Sequence, residues 1–111
     1  MLVTDAMPTV GMSGEYFMLQ GRRITVRNGM CLDEAGTLAG SNLDMASAVR
    51  NATQMLEVDL ATAVRMASEF PAAFLGLERR IGRLAPGYRA SFVVADDELN
   101  VQQTWIDGKA S

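Results

Sequence analysis

The chain has 111 residues, room for one domain and little more. Apolar residues make up 49% and charged residues 21%, which is globular composition, and ten Lys plus Arg against thirteen Asp plus Glu leave a net charge of -3. That balance excludes a general electrostatic pull toward nucleic acid or an anionic membrane, and no apolar run approaches the roughly 18 residues of a membrane span.

The histidine count is zero. This chain alone therefore supplies no His metal ligand, no Ser-His-Asp triad and no Cys-His pair. Its one cysteine, Cys31, has no internal disulfide partner and cannot build a zinc cluster. The N-terminus lacks the basic start and long apolar stretch of a signal peptide, so a cytoplasmic protein is the expectation.

In chain order, Leu2-Val3-Thr4 is a short β-prone run that stops at Asp5, and residues 7–14 read as loop. Nothing precedes the run to pair with it. Residues 15–19 alternate weakly, and Gln20-Gly21 reads as a turn. Residues 23–27 alternate polar and apolar with period two, the mark of a half-buried strand. Asn28-Gly29 follows, then Met30-Cys31-Leu32. Both Asn and Gly tolerate positive φ, so this predicts a two-residue hairpin. Asp33-Glu34-Ala35-Gly36 is another turn.

Thr37-Leu38-Ala39-Gly40 then predicts the approach to a helix, with Ser41 as N-cap and Asp44 completing a capping-box-like arrangement. Met45, Ala48, Val49, Ala52, Met55 and Leu56 recur at helical spacing. Asp59 predicts the cap of a second helix, with Leu60, Ala63, Val64 and Ala67 on one stripe. Pro71 fits only the first turn of a third helix, which Gly76 would end. Residues 91–95 and 101–106 read as strands around the acidic turn Asp96-Asp97-Glu98, closed by Asp107-Gly108. The order is strand, hairpin, helices, hairpin: an α/β to α+β chain.

The run Leu2-Val3-Thr4-Asp5-Ala6, the stretch Arg27-Asn28-Gly29, residues 33–41 and Ala48-Val49-Arg50-Asn51 resemble the C-terminal part of the N-acetylglucosamine-6-phosphate deacetylases. Ala67-Ser68, Pro71-Ala72, Leu75-Gly76-Leu77, residues 82–87 and Ala90 resemble the closing segment of the amidohydrolase superfamily generally. The resemblance implies a (β/α)₈ barrel with a small β-sandwich domain. A whole barrel needs about 250 residues, so what it implies here is a C-terminal fragment. Residues 1–84 would be the end of the barrel domain (last strand, inserted β-hairpin, last helices). Residues 85–111 would be the C-terminal strands of the small β domain.

In the family a metal-bound water attacks the sugar acetamide, and an Asp after the last barrel strand moves its proton to the leaving amine. The resemblance assigns that catalytic role to Asp5. It assigns Leu38, Ala39 and Gly40 to the border of the sugar pocket, with Ser41 read as a helix cap. The divalent metal, of Zn or Fe type, belongs to the full-length enzyme. Its ligands, a Glu and two His from earlier strands, have no counterpart here, so no metal is expected in this chain and the chain by itself is expected to be inactive.

The reaction implied is deacetylation of N-acetylglucosamine 6-phosphate to glucosamine 6-phosphate and acetate. The expected partners are that amino-sugar phosphate, together with a second copy of the chain or the missing N-terminal portion, and neither nucleic acid nor membrane. Two alternatives stand beside it: a non-catalytic, self-associating α/β module, and a fragment of a dihydroorotase-like or hydantoinase-like enzyme. Asp96-Asp97-Glu98 reads as a solvated turn, Arg79, Arg80 and Arg83 as a surface cluster, and Cys31 as a buried inert thiol.

Overall fold

The computed structural model describes residues 1–111. The chain forms two compact units, one of residues 3–45, the other of residues 46–111 together with Met1 and Leu2.

The first unit is a four-stranded antiparallel meander: β1 (Tyr16–Leu19), β2 (Arg22–Arg27), β3 (Met30–Leu32) and β4 (Leu38–Ser41), paired in that order. The turns follow from residue type. Gln20-Gly21 and Asn28-Gly29 both take positive φ at both positions, as the right-handed twist of a tight hairpin demands. Asp33 makes the next reversal, its carboxylate accepting hydrogen bonds from the Ala35 and Thr37 amides at 2.9 and 2.8 Å. Ile24, Cys31 and Thr9 are buried, with the Cys31 sulfur 3.6 Å from the Thr9 hydroxyl.

Two expectations fail in this unit. Residues 2–4 form no strand, and the neighbourhood has only an isolated parallel bridge between Ala6 and Ser41. A strand needs a ladder of partners, and here the backbone groups go elsewhere. The Leu2 amide donates to the Met66 carbonyl, and the Thr4 carbonyl accepts from the Ser41 hydroxyl. The second failure is the helix approach at residues 37–41. Leu38–Ser41 is a strand, with Gly40 opposite Cys31 and Ser41 opposite Met30. The Asp33 turn brings this stretch back along β3, where its backbone groups are satisfied by pairing. The predicted hairpin is thus half of a larger sheet.

The second unit carries three helices and a three-stranded antiparallel sheet. Helix α1 (Met45–Met55) starts at the unit boundary, followed by α2 (Leu60–Ala67) and α3 (Glu69–Phe74). Asp59 caps α2 as expected, accepting from the Thr62 amide at 2.7 Å. Pro71 lies in the first turn of α3. The helix closes with Gly76 donating to the Ala73 carbonyl and Leu77 to the Ala72 carbonyl, the paired bonds of a Schellman motif. Val49, Ala52 and Ala63 form the core, with Leu2, Val58, Ala67 and Leu99 against it. Other members of the predicted stripes, Met55, Leu56, Leu60 and Val64, are exposed, because small alanines carry the helix contact.

Strands β5 (Phe92–Ala95), β6 (Val101–Ile106) and β7 (Lys109–Ala110) follow in sequential order. Phe92 and Trp105 face each other in register, their rings stacked at 5.6 Å. Strand β7 is an addition to the sequence reading. Asp107-Gly108 turns the chain rather than ending the sheet, both residues at positive φ. The fold is α+β with antiparallel sheets, and no helix is long and apolar enough to cross a membrane.

Candidate functional site

Asp5, Leu38, Ala39, Gly40 and Ser41 all lie in the first unit, where the pairing of residues 5–7 with β4 brings Asp5 against Gly40 and Ser41. Ser41 is the centre of that junction. Its amide donates to the Asp5 carbonyl at 2.9 Å, and its carbonyl accepts from the Met7 amide at 2.9 Å. Its hydroxyl donates to the Thr4 carbonyl and accepts from the Leu43 amide at 3.1 Å. Ser41 is therefore not a helix cap: α1 begins only at Met45, and the hydroxyl is fully used within the strand junction.

Asp5 is exposed and takes φ of 51°, in the left-handed region. Asp is among the few non-Gly residues that visit it. Gln20, Asn28 and Asp107 share the conformation in two-residue hairpin turns, and Glu57 and Leu99 share it elsewhere in the chain. Asp5 lies outside such a hairpin turn, where the hydrogen bonds of its neighbours to Ser41 hold the backbone.

Leu38, Ala39 and Gly40, the residues expected at a pocket border, have different settings. Leu38 is 63% exposed and Ala39 is exposed. Ala39 is also the extra residue of an irregularity, since Leu32 pairs with Leu38 while Cys31 pairs with Gly40. Such a bulge changes which way neighbouring side chains aim. Gly40 is buried against residues 5–7. A Cβ there would lie 2.6 Å from Met7 Cγ and 2.9 Å from the Asp5 carbonyl oxygen.

No three of the His, Cys, Asp and Glu side chains converge to hold a metal ion. The residues present thus do not fit a divalent-metal centre, and Asp5 stands as a single carboxylate beside β4. What the cluster can do is present that carboxylate to solvent from a segment held against Gly40 and Ser41.

The other candidates lie in the second unit. Asp96 is a turn-former: one carboxylate oxygen accepts from the Glu98 and Asn100 amides at 3.0 and 2.8 Å. The Asn100 side-chain bond, and then its backbone amide, hold the Asp96 carboxyl below its ordinary range. Arg79, Arg80 and Arg83 are exposed. An open groove of about 550 Å³ is lined by Arg50, Thr53, Gln54, Leu60, Asp97, Glu98 and Leu99, and holds none of the predicted site residues. Sequence reasoning missed the convergence of Gly40 and Ser41 on Asp5. The only local signal was a Gly-Ser pair at a β-prone run.

Residues 21–111 match the amidohydrolase family. The chain is 43% identical over 108 residues to a putative N-acetylgalactosamine-6-phosphate deacetylase of Escherichia coli (strain K12), covering 97% of this chain and 65% of that protein. It is 40% identical over 110 residues to the N-acetylglucosamine-6-phosphate deacetylase of Bos taurus, covering 97% of this chain and 27% of that one. The crystal structure of N-acetylglucosamine-6-phosphate deacetylase from Pasteurella multocida matches with a TM-score of 0.90 and 31% identity, over 98% of this chain and 29% of that one. The chain thus spans 65% of the first relative and less than a third of the other two. With the family match running through the β2–β4 meander, all three helices and the second sheet, the chain belongs to the amidohydrolase family.

Proposed function

We propose that this chain forms the C-terminal part of a hydrolase that deacetylates an N-acetylhexosamine 6-phosphate. The observation that carries the reading is the backbone match to a solved deacetylase over nearly the whole chain. Asp5 is the proton carrier, taking a proton from the attacking water and passing it to the leaving amine. Its exposed carboxylate and left-handed backbone support the role. Leu38 and Ala39 border the sugar, and Gly40 lets the Asp5 segment approach them.

In this reading residues 1–84 belong to a (β/α)₈ barrel and residues 85–111 to a small β domain. Packing divides the chain elsewhere, after Met45. Residues 2–4 would gain strand partners only in the assembled barrel. The divalent metal of the family would be held by segments outside residues 1–111, since the residues here do not fit one. The location is cytoplasmic, and the chain acts with those segments or in an oligomer.

N-acetylglucosamine 6-phosphate is the substrate that the sequence motifs favour. N-acetylgalactosamine 6-phosphate is the second reading, favoured by the higher identity to the galactosamine relative than to the bovine one. The test is a chimera in which residues 1–111 replace the matched segment of the Pasteurella multocida enzyme, assayed for acetate release from both sugars. Turnover is expected, with a loss of about 100-fold or more in Asp5→Asn. A folded chimera without turnover, or full activity in Asp5→Asn, overturns the proposal.

A further inference from the structure

We infer that Ser41 is the positioning residue for Asp5, fixing the direction in which the carboxylate leaves the backbone. The inference rests on the role proposed for Asp5 and names what holds it in place.

The geometry is specific. φ of Asp5 is the rotation that relates the Thr4 carbonyl to the Asp5 carbonyl. Both carbonyls accept hydrogen bonds from the same residue. The Ser41 hydroxyl takes the first, and the Ser41 amide takes the second at 2.9 Å. Holding both carbonyl oxygens restrains φ and ψ of Asp5 together, with φ at 51°, and with them the Cα–Cβ direction. On the far side the Met7 amide donates to the Ser41 carbonyl at 2.9 Å, so the segment cannot slide along β4.

The hydroxyl itself is oriented. The Leu43 amide donates to its oxygen at 3.1 Å, which leaves the hydroxyl proton to point at Thr4. Ser41 is half-buried, which limits competition from water for these bonds. Gly40 completes the arrangement by lacking the Cβ that would push the Asp5 carbonyl away. An alanine at position 41 keeps the two backbone bonds and loses the bond to Thr4. The conformation of Asp5 is then held at one end only. Threonine keeps the hydroxyl and suits a strand.

The experiment uses two readouts with Ser41→Ala and Ser41→Thr. In the 111-residue chain, the intraresidue amide–α-proton NOE reports φ of Asp5, because the two protons lie closest at positive φ. Ser41→Ala is expected to weaken that NOE, and Ser41→Thr to keep its wild-type strength. In the chimera, Ser41→Ala is expected to lower kcat about 10- to 100-fold with KM unchanged, and Ser41→Thr to restore it. A general loss of structure would move neither value selectively and would not be rescued by threonine. If Ser41→Ala unfolds the sheet, Ser41→Cys, a weaker donor of similar shape, replaces it in both measurements.

An unchanged Asp5 intraresidue NOE in a folded variant lacking the hydroxyl overturns the inference and leaves the catalytic reading of Asp5 standing. Failure of the wild-type chimera to turn over removes that catalytic reading, while the NOE still decides whether Ser41 fixes Asp5.

Discussion

Gly40 passes so close to Asp5 that a Cβ on the glycine would lie 2.9 Å from the Asp5 carbonyl oxygen. The Met7 side chain, at 2.6 Å, has freedom to move, but the Asp5 carbonyl is hydrogen-bonded to Ser41. Gly40→Ala is therefore expected to cost about 1–3 kcal/mol, the range for overpacking a tight site. Urea unfolding of the 111-residue chain measures it. A midpoint equal to wild type would show that residues 5–7 relax freely away from β4.

Ala63 is fully buried against Val49 and Ala52. These small side chains let the helices of the second unit approach. Ala63→Leu adds three carbons where there is no space, with an expected loss of about 1–3 kcal/mol in the urea midpoint. A neutral or stabilising effect would mean that the exposed leucines beside this core mark a cavity rather than a closed contact.

Arg89 and Asp107 form a two-pronged ion pair at 2.7 and 2.6 Å. Hydrogen bonding to Arg89 holds the Asp107 carboxyl below its ordinary 3.8. The sign follows from linkage. A carboxyl depressed in the folded state contributes stability that is complete above the unfolded value, and loses it as pH falls through the lower folded one. Asp107→Asn keeps a residue that tolerates the φ of 50° at this turn and removes the charge together with one of the two acceptors of Arg89. The expected result is a destabilised variant at pH 7 whose gap from wild type closes below pH 3.8. Because the pair is exposed, added salt narrows the same gap at pH 7. A gap independent of pH would locate the effect in the turn rather than the charge.

Asp59 is the N-cap of α2, and bonding from the Thr62 side chain, then the Thr62 amide, lowers its pKa. Asp59→Ala removes the acceptor and is expected to lower both stability and helical circular dichroism. Asp59→Asn keeps an acceptor and is expected to fall between alanine and wild type at pH 7. As pH drops below the ordinary 3.8, the asparagine variant and wild type are expected to converge. Equal losses in the two variants would show that the charge, not the cap, carries the effect.

Local chemistry was legible where one residue type decides the outcome. Asn28-Gly29 turns because both residues accept positive φ, and the structure has them at 52° and 77°. Asp59 caps because its carboxylate reaches the Thr62 amide three residues on. Pro71 sits where its missing amide is harmless. The same kind of reasoning went wrong at Ser41. A serine ahead of an apolar helical stripe is a good cap by local rules, but β3 and residues 5–7 offered its backbone and hydroxyl more partners.

The sequence by itself determined the Asn28-Gly29 hairpin, the strands on either side of the Asp96 turn, the three helices, the capped start of α2, and that these residues supply no histidine, because each depends on residues within a few positions of one another or on composition alone. Tertiary structure decided what residues 2–4 and 38–41 became. It also decided that Asp5, Gly40 and Ser41 meet. Residues more than thirty positions apart leave no periodicity to read, and their meeting depends on which backbone groups find partners once the chain has folded.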